Sequence, residues 1–495
     1  MGLVTPVEPV PLGELGRVHF AAIGGAGMSG IAHIMLSRGL PVSGCDSAPS
    51  AQLDSLARAG AHVVVGHSAD HLRTTDTLVV STAIRADNPE LAEARRLGIR
   101  VLHRAGALAS LMLGRQVIAV AGTHGKTTTT SMITTVLRQC GADPSYVIGG
   151  ILTQTGSGAG DGGGRAFVAE ADESDGSFLM LTPDAAVVTC IEADHLDNYG
   201  SLEEIEEAFA AFAARIRTPG LLVTCADDPG ASRLASTVAA ANPTGLAGPP
   251  AGPAVARPRL ISYGESADAD YRLTAVTTTG TRSDVELAAQ GRSVLSGRTA
   301  APAALRLQVP GKHNALNAAA AYAICAELGF DAEQVAVGLA GYQGAKRRME
   351  LKGEAEGVRV FDSYAHHPTE ITADLAAARD IADGGRVIAI FQPHLYSRTR
   401  IFARQFGEAL GRADEIFVLD VYAAREDPEP GVTGALIADA VPGRRGVFQP
   451  DRGALPGIIA GLAKPGDVVL TMGAGDVTAL GPVLLDRLRG GEQPG

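Results

Sequence analysis

The chain has 495 residues, 46% of them hydrophobic and 19% charged, a globular and not a disordered composition. Its 42 basic against 54 acidic residues give a formal net charge of -12, which argues against a nucleic-acid partner. The five cysteines (Cys45, Cys140, Cys190, Cys225 and Cys325) are scattered and form no C-x-x-C pair, so reduced thiols in a cytoplasmic protein are expected. The N-terminus has no signal-peptide pattern, and no apolar run reaches the ~18 residues of a membrane span, so no membrane insertion is expected.

At about 100–200 residues per domain the length suggests two to four domains. Apolar runs at 18–23, 78–81, 117–121, 166–170, 186–190, 387–391, 415–419 and 468–472 alternate with Ala/Leu-rich helical stretches. Continuous runs of this kind, each followed by glycine or polar residues, predict buried parallel strands in an α/β fold. They fall into a first group over about 17–112, a second from Gln116, and a third from about Gly329 to the end. The second group contains a Gly/Asp-rich loop at 155–164 and a Pro/Gly/Ala-rich stretch at 241–258. Alternating segments over 260–309 suggest an antiparallel extension, followed by a helix from His313 to about Leu328. The tail, 490–495, is expected to fray.

The first strand runs into Gly25-Ala26-Gly27-Met28-Ser29-Gly30, with a helix continuing through 31–37. This is G-x-G-x-x-G in strand–turn–helix context, where glycines let a diphosphate approach backbone N–H groups at a helix N-terminus. Asp46 ends the next strand, where such folds put an acid near a ribose. A dinucleotide or nucleoside diphosphate fits, and a tight turn without ligand is the bland reading.

The second loop is Gly122-Thr123-His124-Gly125-Lys126-Thr127-Thr128, after the strand VIAVA. Backbone N–H groups, a lysine for the β/γ-phosphates and a hydroxyl for Mg²⁺ are what triphosphate binding needs. Val120 stands where the longer pattern has its first glycine, so this is a shorter variant. A lysine just inside a helix start works against the helix dipole unless an anion is near.

Glu170-Ala171-Asp172-Glu173-Ser174-Asp175 places four carboxylates at a strand end, where they repel one another without cations. Mg²⁺ takes only one or two carboxylates beside phosphate oxygens, and Glu170 at the strand terminus is the candidate. His195 lies in a second such loop, as a metal ligand or a phosphate contact. Asn314 and Asn317, one turn apart, could read an adenine edge or cap the helix. In the third group Arg348 could bring a cation to the triphosphate. The segment from Asp362 through Tyr364, His366 and His367 is dense in hydrogen-bonding groups. Arg398 and Arg400 open a helix, where a guanidinium fits a carboxylate bidentately.

Together these segments resemble the Mur ligases, which add amino acids to UDP-muramoyl precursors of peptidoglycan. The motifs that carry the resemblance are AIGGAGMSG, AGTHGKTTT, AEADESDGSFL, IEADHLDNYG, PGKHNALNAAAA, SYAHHPTE, FQPHLYSRTR and TMGAGDV, spread over residues 18–477. The resemblance implies three domains: a Rossmann-like UDP-binding domain (1–113), a central P-loop-type ATPase domain (114–327) and a C-terminal Rossmann-like domain (328–495). It further implies ATP, two Mg²⁺ ions, UDP-N-acetylmuramate, and L-alanine as the amine, with a recycled murein tripeptide as the alternative acceptor. By resemblance Lys126 contacts the phosphates, Thr127, Glu170 and His195 hold metal, and Asn314 and Asn317 meet adenine. Arg348 and Asp362 are brought to ATP, Arg398 or Arg400 holds the alanine carboxylate, and the loop from Tyr364 to His367 limits its side chain. Two departures are visible: Cys190 stands where the family usually has Asn, and Ser363 where this branch often has a second Asp.

Overall fold

The computed structural model describes residues 3–240, 257–289, 302–424 and 426–490. The stretch at 241–258, apart from its last two residues, and the tail beyond Gly490 lie outside them. Among the described residues no helix is long and apolar enough to cross a membrane. The chain divides into two compact units, one mainly Met1–Thr274 with Leu316–Gly341, the other mainly Tyr342–Gly495.

The first unit contains two sheets. One has five parallel strands in the order His62–Val65, Val42–Asp46, Val18–Ala21, Thr77–Val80, Arg100–His103. Chain order reverses at Val18–Ala21, so the crevice at the carboxyl end of that strand is where such sheets bind ligands. Its helix is Ala26–Ser37. The helix starts earlier than the sequence suggests: Ala26, Gly27, Met28 and Gly30 are already helical and only Gly25 precedes them as N-cap. Glycine spacing marks close approach, not turn length. A Cβ on Gly30 would come within 2.8 Å of the Ala159 Cβ, so this glycine lets the helix pack on the strand Ala159–Gly160.

The second sheet is built around Gln116–Ala121, flanked in parallel by Ala166–Glu170 on one side and Ala185–Val188 on the other. Leu221–Cys225 and then Arg259–Gly264 extend it in parallel, the helix Pro229–Ala240 standing between those two strands in the chain. Tyr271–Thr279 also begins in parallel register, so the antiparallel extension starts later than the sequence reading places it. It starts at the turn through Gly280, where Thr278 faces Ser283 across a hairpin. The crossover helix Pro229–Ala240 accounts for the parallel return of Arg259–Gly264, because a strand reached through a helix returns parallel. The helix expected from His313 runs over Lys312–Glu327. The two sheets of this unit are tied together. Arg38, just past its helix end, holds Asp161 through two nitrogens (Nη2–Oδ1 2.7 Å, Nε–Oδ2 3.2 Å), and Ser37 and Ser145 donate to the same carboxylate.

The second unit carries a six-stranded sheet ordered Glu350–Ala355, Val358–Ser363, Val468–Met472, Val387–Phe391, Glu415–Val418, Gly446–Phe448. All neighbours run parallel except the first pair. Val387, Ala389 and Phe391 enter one core, and Ile388 and Ile390 the other, the period-two alternation of a sheet covered by helices on both faces.

Candidate active site

The topology of the central sheet makes the first cluster. Gln116–Ala121 is the middle strand, so its loop is flanked by the loops leaving Glu170 and Val188. Gly122 has a φ of +132°, and a Cβ there would lie 2.1 Å from Thr189 Oγ1, so only glycine lets the two loops meet. Thr123 donates its N–H to the Cys190 carbonyl at 2.9 Å, and the His124 N–H points at Cys190 Sγ at 3.3 Å. Thr123 Oγ1 accepts from the Glu192 N–H at 2.9 Å.

Lys126 is the first residue of the helix Lys126–Gln139. Its ammonium donates to the Gly122 carbonyl (2.6 Å), the Thr123 carbonyl (3.1 Å) and Glu173 Oε1 (2.8 Å), which uses all three of its protons. Burial works against its charge, but Glu173, Asp172 and Glu170 outweigh that and raise its pKa. Thr127 Oγ1 sits 3.1 and 3.0 Å from the two oxygens of Glu170, and Gly149 N–H donates to Glu170 Oε2 at 2.7 Å.

The acidic loop is divided between two cations. Arg104 Nη2 donates to Asp172 Oδ2 at 2.5 Å, and Lys126 takes Glu173. Asp172 is held well below the usual carboxylate range: burial opposes this, but Arg104 and Lys126 prevail. Glu173 goes the other way, pushed up to about 7 by burial, with the Asp172 charge also raising it against Lys126. Its Oε2 is buried without a hydrogen-bond partner. Asp175 faces the His103 ring at 3.6 Å. Arg104 also passes Gly27 of the first glycine helix, whose added Cβ would lie 3.4 Å from Nη1. Asp46 Oδ2 accepts from the Gly24 N–H at 2.9 Å, fixing that loop.

His195 adopts the left-handed conformation (φ +53°) ahead of a short helix, its ring 3.6 Å from Asp194. Asn317 is buried and accepts from Thr129 Oγ1 at 3.2 Å, with its Oδ1 closing the space over Gly125. Asn314 is buried and donates to the Pro310 carbonyl at 2.7 Å, a local tie at the helix start.

In the second unit three parallel neighbours end side by side, at Ser363, Met472 and Phe391. Asp362 has no exposed surface and accepts from Thr471 Oγ1 (2.8 Å) and Thr478 Oγ1 (2.6 Å), with Arg347 Nε 3.4 Å away. It stands behind the loops. Arg347 (φ +62°) and Arg348 both lie over the Tyr364 ring, at 4.9 and 5.4 Å, and Arg348 approaches Glu370 at 3.6 Å. Tyr364, His366, His394 and Tyr422 follow one another as an aromatic wall, His394 stacked on Tyr422 at 5.8 Å. His367 instead caps the helix Pro368–Ala382 and packs on Phe402.

Arg398 and Arg400 are separated by the structure. Arg398 is 7% exposed. Arg400 points outward to Glu429 at 3.0 Å, its side chain 57% exposed. The two departures also find places: Cys190 supports the phosphate-type loop through sulfur, and Ser363 donates to the buried Asp374.

Residues 17–116 match the Mur ligase family, catalytic domain, residues 120–248 the Mur ligase middle domain, and residues 347–475 the Mur ligase, glutamate ligase domain. The UDP-N-acetylmuramate–L-alanine ligase of Thermobifida fusca is 53% identical over 99% of this chain and 100% of its own. The chain belongs to the Mur ligase family.

Among other members of the Mur ligase family, the UDP-N-acetylmuramate–L-alanine ligase of Kineococcus radiotolerans is 54% identical over 96% of this chain and 97% of its own. Among solved structures, the UDP-N-acetylmuramate–alanine ligase of Thermotoga maritima is 28% identical with a TM-score of 0.77, covering 96% of this chain and 99% of that one. A murein peptide ligase from Psychrobacter arcticus shares the fold at 23% identity and a TM-score of 0.68, covering 97% and 100%. The three-domain Mur ligase architecture is therefore that of this chain.

Sequence reasoning named the acidic loop of this Mur ligase but missed its division between two cations. Arg104 carried the same signal as Lys126: it is the first residue of a helix, Arg104–Leu111, where a cation needs an anion nearby. His394 and Tyr422 carried no local signal, since 28 positions separate them and only the parallel bridge between them brings the rings together.

Proposed function

We propose that this Mur ligase joins L-alanine to the lactyl carboxylate of UDP-N-acetylmuramate, using ATP and passing through an acyl phosphate, in peptidoglycan precursor synthesis in the cytoplasm. The observation that carries the reading is near end-to-end identity of 52–54% with ligases named for that reaction. The tripeptide-adding alternative has only a likeness of fold behind it.

Three domains divide the work: residues 1–113 for the UDP-sugar, 114–327 for ATP, and 328–495 for the amino acid. A lactyl carboxylate oxygen attacks the γ-phosphorus and ADP leaves. The alanine amine then attacks the acyl carbon, loses its proton, and inorganic phosphate departs. Positioning and charge neutralisation dominate such phosphoryl transfer, so little covalent work falls to the protein.

Lys126 is the residue placed to neutralise the phosphates. Its third donor, now on Glu173, is where a phosphate oxygen would bind in exchange, and a carboxyl pushed up to about 7 releases it readily. Gly122, Thr123, His124, Gly125 and Thr128 frame that loop, and Asn317 borders it over Gly125. Adjacent oxygens of Thr127 and Glu170 fit a hard cation, and Mg²⁺ would supply charge neutralisation there, with His195 toward a second ion. In the first domain Gly25, Ala26, Gly27, Met28, Gly30 and Asp46 receive the UDP-sugar.

For the amino acid, buried Arg398 fits the carboxylate better than exposed Arg400. Tyr364 and His366 bound its side chain, while His367 holds the start of the helix Pro368–Ala382 behind them. Asp362 acts through Arg347, as a positioning residue.

The test is phosphate release from ATP and Mg²⁺ with UDP-N-acetylmuramate, adding L-alanine, glycine, L-serine or murein tripeptide in turn. Release that needs the UDP-sugar and is fastest with L-alanine is expected. Fast release with tripeptide but not alanine would transfer the chain to the recycling reaction.

A further inference from the structure

The first sheet buries a second cluster of metal-binding side chains that the ligase chemistry does not use. Glu90 lies in the first turn of the helix Pro89–Leu97 with no exposed surface. Its Oε1 faces His71 Nδ1 at 2.7 Å, Cys45 Sγ at 2.9 Å and His19 Nε2 at 3.4 Å. Its Oε2 faces His67 Nδ1 at 3.0 Å. One atom from each of His19, Cys45, His71 and Glu90 lies within 4.8 Å of all the others.

We propose that these four residues form a tetrahedral site for a zinc-class divalent transition metal, separate from the ATP site. Two observations carry this beyond a buried polar network. The first is the buried Nε2 of His19. The residue is 2% exposed, its Nδ1 lies 2.9 Å from Ser43 Oγ, and its Nε2 has no hydrogen-bond partner while facing a carboxylate oxygen at 3.4 Å. A buried ring nitrogen left without a partner costs free energy that a cation bound between it and the carboxylate would remove. An imidazole whose far nitrogen is anchored by a hydrogen bond is also the usual form of a metal-bound histidine.

The second is the donor set. One thiol, two imidazoles and one carboxylate match zinc, whereas Mg²⁺ and Ca²⁺ take oxygen ligands. Bonds of about 2.0–2.3 Å in a tetrahedron put ligand atoms about 3.3–3.7 Å apart, and the four donor atoms here lie within 4.8 Å of one another. His67 supports it from outside by donating to Glu90 Oε2.

The four ligands come from four separate elements: the strands Val18–Ala21 and Val42–Asp46, the short 3-10 helix Ala69–Leu72, and the helix Pro89–Leu97. The Cys45 carbonyl accepts from the Ile23 N–H at 2.9 Å, and Asp46 holds the Gly24 N–H. A bound metal would thus pin the strand end that supports the first glycine loop.

The test is Co²⁺ and Zn²⁺ titration of the full-length chain. Co²⁺ is expected to give a thiolate-to-metal charge-transfer band with tetrahedral d–d intensity, saturating at about one ion per chain and displaced by Zn²⁺. Mg²⁺ at the ATP site gives no such band. The Cys45→Ser variant should lose it, while Cys140→Ser keeps it. His71→Gln, at the more exposed edge, should weaken zinc binding at least tenfold with an unchanged circular dichroism spectrum. Absence of the thiolate band in the unmutated chain overturns the proposal whatever the variants do. So does a band that survives Cys45→Ser, or zinc affinity unaltered by His71→Gln.

Discussion

Arg104, from the first sheet's last helix, donates to Asp172 of the central sheet's acidic loop at 2.5 Å. Without it a half-buried carboxylate would stand beside Glu173 and Glu170 with only Lys126 to offset it. Arg104→Met should cost about 1–3 kcal/mol in denaturant unfolding, and Asp172→Asn added to it should recover part of the loss. Equal stability of Arg104→Met and the unmutated chain would show the pair to be dispensable.

Lys126→Ala is expected to abolish turnover, a fall of at least about 10³-fold in kcat, through loss of a charge-neutralising donor. Glu173→Gln separates the roles of the pair, because it frees the ammonium without removing it and should leave ATP binding intact. Steady-state phosphate release with an ATP-binding assay checks both. A near-normal rate for Lys126→Ala would sink the assigned ATP site.

Arg398→Met should raise the KM for L-alanine about 10²-fold with little change in the KM for ATP, the result expected when a carboxylate loses a guanidinium. Arg400→Ala removes only an exposed pair with Glu429 and should stay within about 0.5 kcal/mol of the unmutated stability. The opposite pattern in alanine kinetics would reverse the assignment.

Asp161 is held below its ordinary pKa: burial opposes, but Arg38, Ser145 and Ser37 win. A depressed carboxylate stabilises the fold above its unfolded pKa of about 3.9, and the contribution is lost as pH falls through the lower folded value. Asp161→Asn should therefore lower the melting temperature at pH 7 and match the unmutated chain at the acid end. A gap independent of pH would exclude the ionic origin.

Asp374 is the reverse case, pushed up to about 7 mainly by burial, with the Glu370 charge adding to it against the Ser363 bond. The folded state then holds a proton that the unfolded chain releases near pH 3.9, so this residue's contribution falls as pH rises from there to about 7. Asp374→Asn should stabilise the chain at pH 8, by on the order of 1–3 kcal/mol, and lose that advantage near pH 4. Ser363→Asp should destabilise it at pH 8, because it sets a second carboxylate against the first. Thermal melts at the two pH values decide.

Much of this was legible in the sequence because strand-then-glycine punctuation is local. The loop at 122–128, the strand ending at Glu170 and the helix opened by Lys126 all lie where periodicity put them. What stayed hidden depends on distance in the chain. Nothing near Arg104 names Asp172, and nothing near His394 names Tyr422. The start of the antiparallel extension was misread because alternation shows that one strand face is buried and says nothing of strand direction. Arg398 and Arg400 looked alike for a related reason: two positions on a helix are about 200° apart, but only packing tells which faces inward.

The sulfur beneath the phosphate-type loop has a chemical consequence. Electrophiles and oxidants attack thiolate, not thiol. At Cys190 burial, with Asp228 and Glu192 nearby, raises the pKa despite the His124 N–H directed at the sulfur. The side chain therefore serves as an acceptor for a backbone amide and not as a nucleophile. Where the family resemblance implies an asparagine, this loop carries the most oxidisable kind of residue, and the surroundings keep it in its unreactive form.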